Sequence, residues 1–257
     1  RRAIHEETER RLLEAESERR AEELEAARRL QLAMLPHEAP EIPGFTFEYR
    51  MVTATEVGGD YVDVRLGDGG RALVAVGDAT SHGLQAGMVV AVAKSLFQSV
   101  DPQESPTAVL HRVGAGLQTM RERYASMAMV VIAVDAHHLQ VASAAMPPLL
   151  VLRHATGSVD EILLPGVPLG TMADASYALR DVAVASGDAI LVISDGAPEA
   201  IAPSGEHFGY DRVVSYLEGC DGRSAEAIVD GLLDTVTSFA GSSSPHDDVT
   251  VVAMVVD

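Results

Sequence analysis

Four aspartates, Asp60, Asp78, Asp195 and Asp247, have the type and placement to do chemistry. The turn Gly67-Asp68-Gly69-Gly70 separates two alternating stretches, Asp60–Leu66 and Arg71–Asp78, and so predicts a β-hairpin. Centring the turn near Gly69 makes Leu66 face Ala72 and carries Asp60 opposite Asp78. Directly opposed residues share a face of the sheet with Cβ atoms about 5 Å apart. The other residues of that face, Val62, Val64, Leu66, Ala72, Val74 and Val76, are apolar. Two carboxylates ending a greasy surface repel each other and are costly to desolvate, so a cation between them is the expected compensation.

Asp195 follows the apolar stretch Ala189–Ser194 and precedes Gly196, which places it at a strand end with a sharp turn. Asp247 and Asp248 stand just before another apolar stretch, Val249–Val256. Singly, an Asp beside a Gly at a strand end fits a turn or cap. Gathered at one edge of a sandwich, the four make an oxygen-only donor set, which suits magnesium or manganese rather than zinc. The histidines add no comparable pattern: His82 beside Gly83 and His246 after Pro245 read as loop residues, and His137 and His138 fall at a hairpin turn without metal-ligand spacing. Met127, Met129 and Met146 read as fillers of core gaps.

The elements that must position these acids are legible in the pattern. Residues 1–35 lack Gly and Pro, are rich in Glu, Arg, Ala and Leu, and predict a helix stopped by Pro36 and Pro40. Paired arginines alternating with glutamates fit a solvated helix laced with i,i+4 ion pairs. Leu13, Leu24, Ala27 and Met34 fit one heptad frame interrupted by Ser17, Arg20 and Gln31, so a dimeric coiled coil stands beside that interpretation. Strands are predicted at 45–53, 60–66, 71–78, 127–135, 139–144, 149–153, 177–184, 188–194 and 249–256, and helices at 84–100, 107–124, 210–217 and 224–239. Strands in runs and helices in pairs imply an α+β class, with a sheet sandwich covered by helices over residues 36–257.

Bulk properties exclude several roles. With 47% hydrophobic residues, the 257-residue chain can bury a sizeable core. A net charge of -19 opposes nucleic acid and anionic membranes as partners. No apolar run reaches the roughly 20 residues of a membrane span. The single cysteine, Cys220, makes no internal disulfide, and a reducing cytoplasmic location is expected. Because the sequence opens inside a charged helix, an upstream sensor domain in a longer protein is also expected.

Four motifs in order carry a resemblance: Glu56-Val57-Gly58-Gly59-Asp60-Tyr61, Gly77-Asp78 followed by His82-Gly83, Ser194-Asp195-Gly196 with Glu199-Ala200, and Asp247-Asp248-Val249-Thr250. In this the chain resembles bacterial type 2C (PPM) phosphatases, in their stage II sporulation protein E and sigma-B regulator branch. The resemblance implies an αββα sandwich and two divalent cations. Asp78 would bridge them, Asp60 would bind one, Asp195 and Asp247 would complete the other, and the Ala79 carbonyl would be a further ligand, with Asp248 standing behind. It further implies hydrolysis of phosphoserine or phosphothreonine by a water activated at the binuclear centre, without a phosphoenzyme, on a partner like an anti-anti-sigma STAS protein. Two departures stand out. Ala79-Thr80-Ser81-His82-Gly83 lacks the usual Ser-Gly before His-Gly, and Ser143-Ala144-Ala145-Met146-Pro147-Pro148 replaces Asn-Ala-Gly-His-Pro-Pro, with Met at a position that could face phosphate. The alternatives are a catalytically silent signalling module of the same fold and a small-molecule phosphohydrolase.

Overall fold

A computed structural model describes residues 2–32, 40–54, 57–80, 83–120, 125–136, 138–241 and 245–257. Two five-stranded antiparallel sheets stack face to face. One has the order β1 (Phe45–Val52), β10 (Val249–Val256), β9 (Ala189–Ile193), β6 (Leu149–Leu152), β7 (Val159–Ile162). The other has the order β2 (Asp60–Leu66), β3 (Ala72–Ala79), β4 (Met127–Asp135), β5 (His138–Ala144), β8 (Leu179–Ala183). Inward-facing residues of both sheets, among them Val62, Val74, Ile132, Val192 and Val252, form the central core. Alternation along each strand sends the other residues outward, where helices cover them.

Helices α2 (Leu84–Gln98) and α3 (Pro106–Gln118) cover the β2–β8 sheet with Val90, Phe97, Leu110 and Val113. On the opposite sheet, α4 (Tyr210–Glu218) and α5 (Ala225–Ala240) do the same with Val213, Leu217, Ile228 and Leu232. The predicted αββα layering is therefore the architecture. Local chemistry fixes the helix ends. Ser105 and Ser224 cap α3 and α5 by accepting from Ala108 N (3.3 Å) and Ala227 N (3.2 Å), and Pro106 occupies the first turn of α3, where no N–H is needed.

The structure differs from the sequence expectation in a few places. β7 was missed: its exposed Val-Asp-Glu-Ile segment is a short edge strand whose register, Leu149 opposite Ile162, comes from β6 rather than from its own pattern. Helix α3 begins one residue earlier than expected and ends at Gln118, while residues 121–124 lie outside the described residues. Helix α1 spans Arg2–Leu32, so the expected stop at Leu35–Pro36 also falls outside. Its expected ion pairs form, for example Arg20–Glu16 at 2.6 Å and Arg10–Glu14 at 3.4 Å. Of the heptad seam, Leu13 is exposed, whereas Met34 and the side chains of Leu24 and Ala27 lie outside the described set. Met127, Met129, Met146 and Cys220 are buried, as expected. Among the described residues no helix is long and apolar enough to cross a membrane.

Candidate metal centre

The β2–β3 hairpin has the predicted register: Leu66 pairs with Ala72 and Asp60 with Asp78. Gly69 and Gly70 turn the chain with φ of 74° and 88°, values that L side chains rarely adopt. The hairpin thus delivers two carboxylates to one end of the sandwich. Ser194-Asp195 at the end of β9 and Asp247-Asp248 at the start of β10 meet them there from the other sheet.

Asp60 is 1% exposed. Its Oδ2 accepts from Thr250 Oγ1 at 2.5 Å and from Ser194 Oγ at 2.9 Å, while its Oδ1 has no partner. An orphaned buried carboxylate oxygen is costly and calls for a ligand. Burial pushes the Asp60 carboxyl up to about 7 against the pull of the two hydroxyl donors, with Asp248 and Asp195 repelling it further. Asp78 rises to about 9 through burial and the charges of Asp60, Asp195 and Asp247. Asp195 is raised by burial and by Asp247. Close packing of these carboxyls favours either protons or a cation among them.

An open cleft is lined by Asp78, Ala79, Thr80, Asp195, His246 and Asp247, with Ala54, Ala128, Ala145 and Pro168 as apolar walls. Asp78, Asp195 and Asp247 are therefore brought together at one surface, and Ala79 stands beside them. Asp60 lies behind, reaching the group through Asp78. Among the described residues no three His, Cys, Asp or Glu side chains converge as a ready-made cage for one ion. Magnesium-like ions retain several waters and take one or two carboxylates each, so shared aqueous coordination fits this donor set better than a closed cage.

Asp248 points the other way. Its Oδ1 accepts from Ala54 N at 2.7 Å and its Oδ2 from Gly59 N at 2.5 Å, tying the loop before β2 to the start of β10. Both of its oxygens are thus taken by backbone amides. The glycines of the motifs have steric causes: a Cβ on Gly196 would lie 2.1 Å from Asp248 O, and one on Gly58 would lie 2.7 Å from Asp248 Oδ2. The donors Ser194 and Thr250 were not singled out in the sequence, since only long-range pairing reveals that both reach Asp60. Met146 is buried in the inter-sheet core, as its reading as a core filler expects, and Ala145 beside it lines the cleft. His246 lines the cleft, although its sequence context suggested only a surface loop. His138 is on β5 and pairs with Asp181 at 3.4 Å, away from the acids. Glu56, Ser81, His82 and His137 lie outside the described residues.

Comparisons with known proteins agree with this architecture. A family model described as stage II sporulation protein E matches residues 68–257, so Asp60 lies just before the matched span. Protein IcfG of Synechocystis sp. is 22% identical over 256 residues, covering 88% of this chain but 40% of that protein, so the chain spans about two fifths of its curated relative. The SiaA-PP2C domain of Pseudomonas aeruginosa superposes with a TM-score of 0.80 at 21% identity, over 95% of this chain and 99% of that one. The RsbU and RsbW domains of a Mycobacterium tuberculosis protein give 0.71 at 24% identity, over 87% and 63%. The family match covers well over half of the chain and the sandwich is that of a solved PP2C domain: the chain belongs to the stage II sporulation protein E family.

Proposed function

We propose that residues 36–257 hydrolyse phosphoserine or phosphothreonine on a regulatory protein. In this proposal Asp60, Asp78, Asp195, Asp247 and the Ala79 carbonyl hold two divalent cations, manganese or magnesium. One observation carries the proposal: Asp60 and Asp78 are paired at a buried strand end, both titrate far above the usual carboxylate range, and Asp60 Oδ1 is unpartnered. Such a site is unfavourable without positive charge and suited to it.

When bound, the cations supply Lewis acidity: they lower the pKa of a water, neutralise the phosphate and orient the reacting oxygens. The chain does the rest. Ser194 and Thr250 occupy Asp60 Oδ2, which leaves Oδ1 free for a ligand. Asp78 feels the charges of Asp60, Asp195 and Asp247 and would hold the cations together with them. Asp248 fixes the backbone that carries Asp60. Ala54, Ala128, Ala145 and Pro168 give the cleft an apolar wall.

The proposed substrate is a serine-phosphorylated, STAS-like anti-anti-sigma protein in the cytoplasm. The support is the family and the M. tuberculosis relative, whose structure carries RsbU and RsbW domains. Residues 1–35 are proposed as a helical linker, dimeric in the assembled protein, that couples an upstream sensor to the domain. The test is manganese-dependent phosphate release from such a phosphoprotein and from p-nitrophenyl phosphate, with Asp78→Ala as control. Metal-dependent turnover lost in the variant supports the proposal. Turnover of the small ester alone points to a metabolite phosphohydrolase, and no turnover by folded, metal-loaded protein to a silent module.

A further inference from the structure

The cleft presents a chemical imbalance. Its described lining includes three carboxylates and no Lys or Arg, so an incoming phosphate meets few hydrogen-bond donors from the protein. Thr80 is one. It follows Ala79 directly, is exposed, and lines the cleft.

Thr80 is held rigidly. Its N–H donates to Ser126 O at 2.9 Å, and its Oγ1 lies 2.8 Å from Ser126 Oγ. Ser126, just before β4, is 9% exposed, and its hydroxyl has no other partner among the described residues. A buried hydroxyl proton needs an acceptor. If Thr80 donated to Ser126, the buried Ser126 proton would have no acceptor among the described residues. If Ser126 donates to Thr80, both oxygens are used and the Thr80 proton is free toward the cleft. The second arrangement strands nothing.

We infer that Thr80, oriented by Ser126, donates its hydroxyl to a non-bridging oxygen of the bound phosphoryl group. This deepens the phosphatase proposal and rests on it. Ser126 is a positioning residue, acting through Thr80. Such a contact, made alike to substrate and product phosphate, is read in KM and in phosphate affinity more than in kcat.

The experiment uses the full chain loaded with manganese and compares wild type with Thr80→Val, Thr80→Ser and Ser126→Ala. Binding of inorganic phosphate is measured by calorimetry, and p-nitrophenyl phosphate turnover beside it. Valine keeps the shape and loses the donor, so the phosphate dissociation constant and KM rise about tenfold or more, while kcat moves about twofold or less. Serine restores both constants, and Ser126→Ala weakens both by a smaller factor. Unchanged phosphate affinity in Thr80→Val, or failure of serine to restore it, overturns the inference. A wild type that binds phosphate but turns nothing over counts against the phosphatase proposal, and calorimetry still decides the role of Thr80.

Discussion

At the scale of single residues, the acids carry a linkage that has a definite sign. Asp60 and Asp78 titrate near 7 and 9 in the folded, metal-free protein, against about 4 in an unfolded chain. Between those values the folded state holds protons that the unfolded state has lost, so stability is present at low pH and is lost as pH rises through the folded values. Melting temperature without metal is therefore expected to fall from about pH 5 toward pH 9, and added manganese to raise it most at the alkaline end. Asp78→Asn removes one group that must take up a proton on folding above about pH 4. It is expected to flatten this profile and to stabilise the metal-free fold at pH 8 while abolishing turnover. Ala145 adds a separate cost, since its φ of 64° is left-handed and unfavourable for a residue with a Cβ. Ala145→Gly is expected to raise stability by about 0.5–1 kcal/mol in chemical denaturation, after glycine's greater chain entropy is set against the relieved strain.

At the scale of elements, the site depends on one crossing between the sheets. Gly196 passes so close to Asp248 O that Gly196→Ala requires backbone movement of the β9 end against the β10 start. Destabilisation beyond about 3 kcal/mol and loss of manganese affinity are expected, measured by denaturation and calorimetry. By contrast, Ser105→Ala removes only the α3 cap, far along the chain from the acids. A loss of about 1 kcal/mol with unchanged metal affinity is expected there. The sequence made the hairpin legible because turn glycines and alternation are local signals that fix register. It concealed β7 because an edge strand with little burial has no periodic pattern to read. The Ser194 and Thr250 donors and the Ser126–Thr80 pair were illegible for another reason: each joins residues far apart in the chain, and only tertiary pairing brings them to their partners. Met146 could be read as a core filler because an unbranched apolar side chain suits irregular gaps, and it packs into the inter-sheet core.

At the scale of the whole molecule, two sheets and two helix layers build a rigid frame whose open end gathers negative charge. With a net charge of -19, binding the proposed anionic substrate would need that charge inverted locally, and the proposed pair of cations would do so. The described side chains from Glu9 to Arg20 on α1 are exposed, and its ion pairs are solvent-facing contacts of small worth. Deleting residues 1–32 is expected to leave the cooperative unfolding of the sandwich nearly unchanged by calorimetry, and to alter mass in solution if the helix pairs two copies.

The central claim is that the strand-end aspartates hold two cations. Manganese anomalous scattering from crystals grown with the ion tests it without reference to any substrate. Two peaks are predicted, both touching Asp78, one shared with Asp60 and the other flanked by Asp195 and Asp247. A fully ordered cleft with no peak, or manganese bound away from these aspartates, would contradict the account.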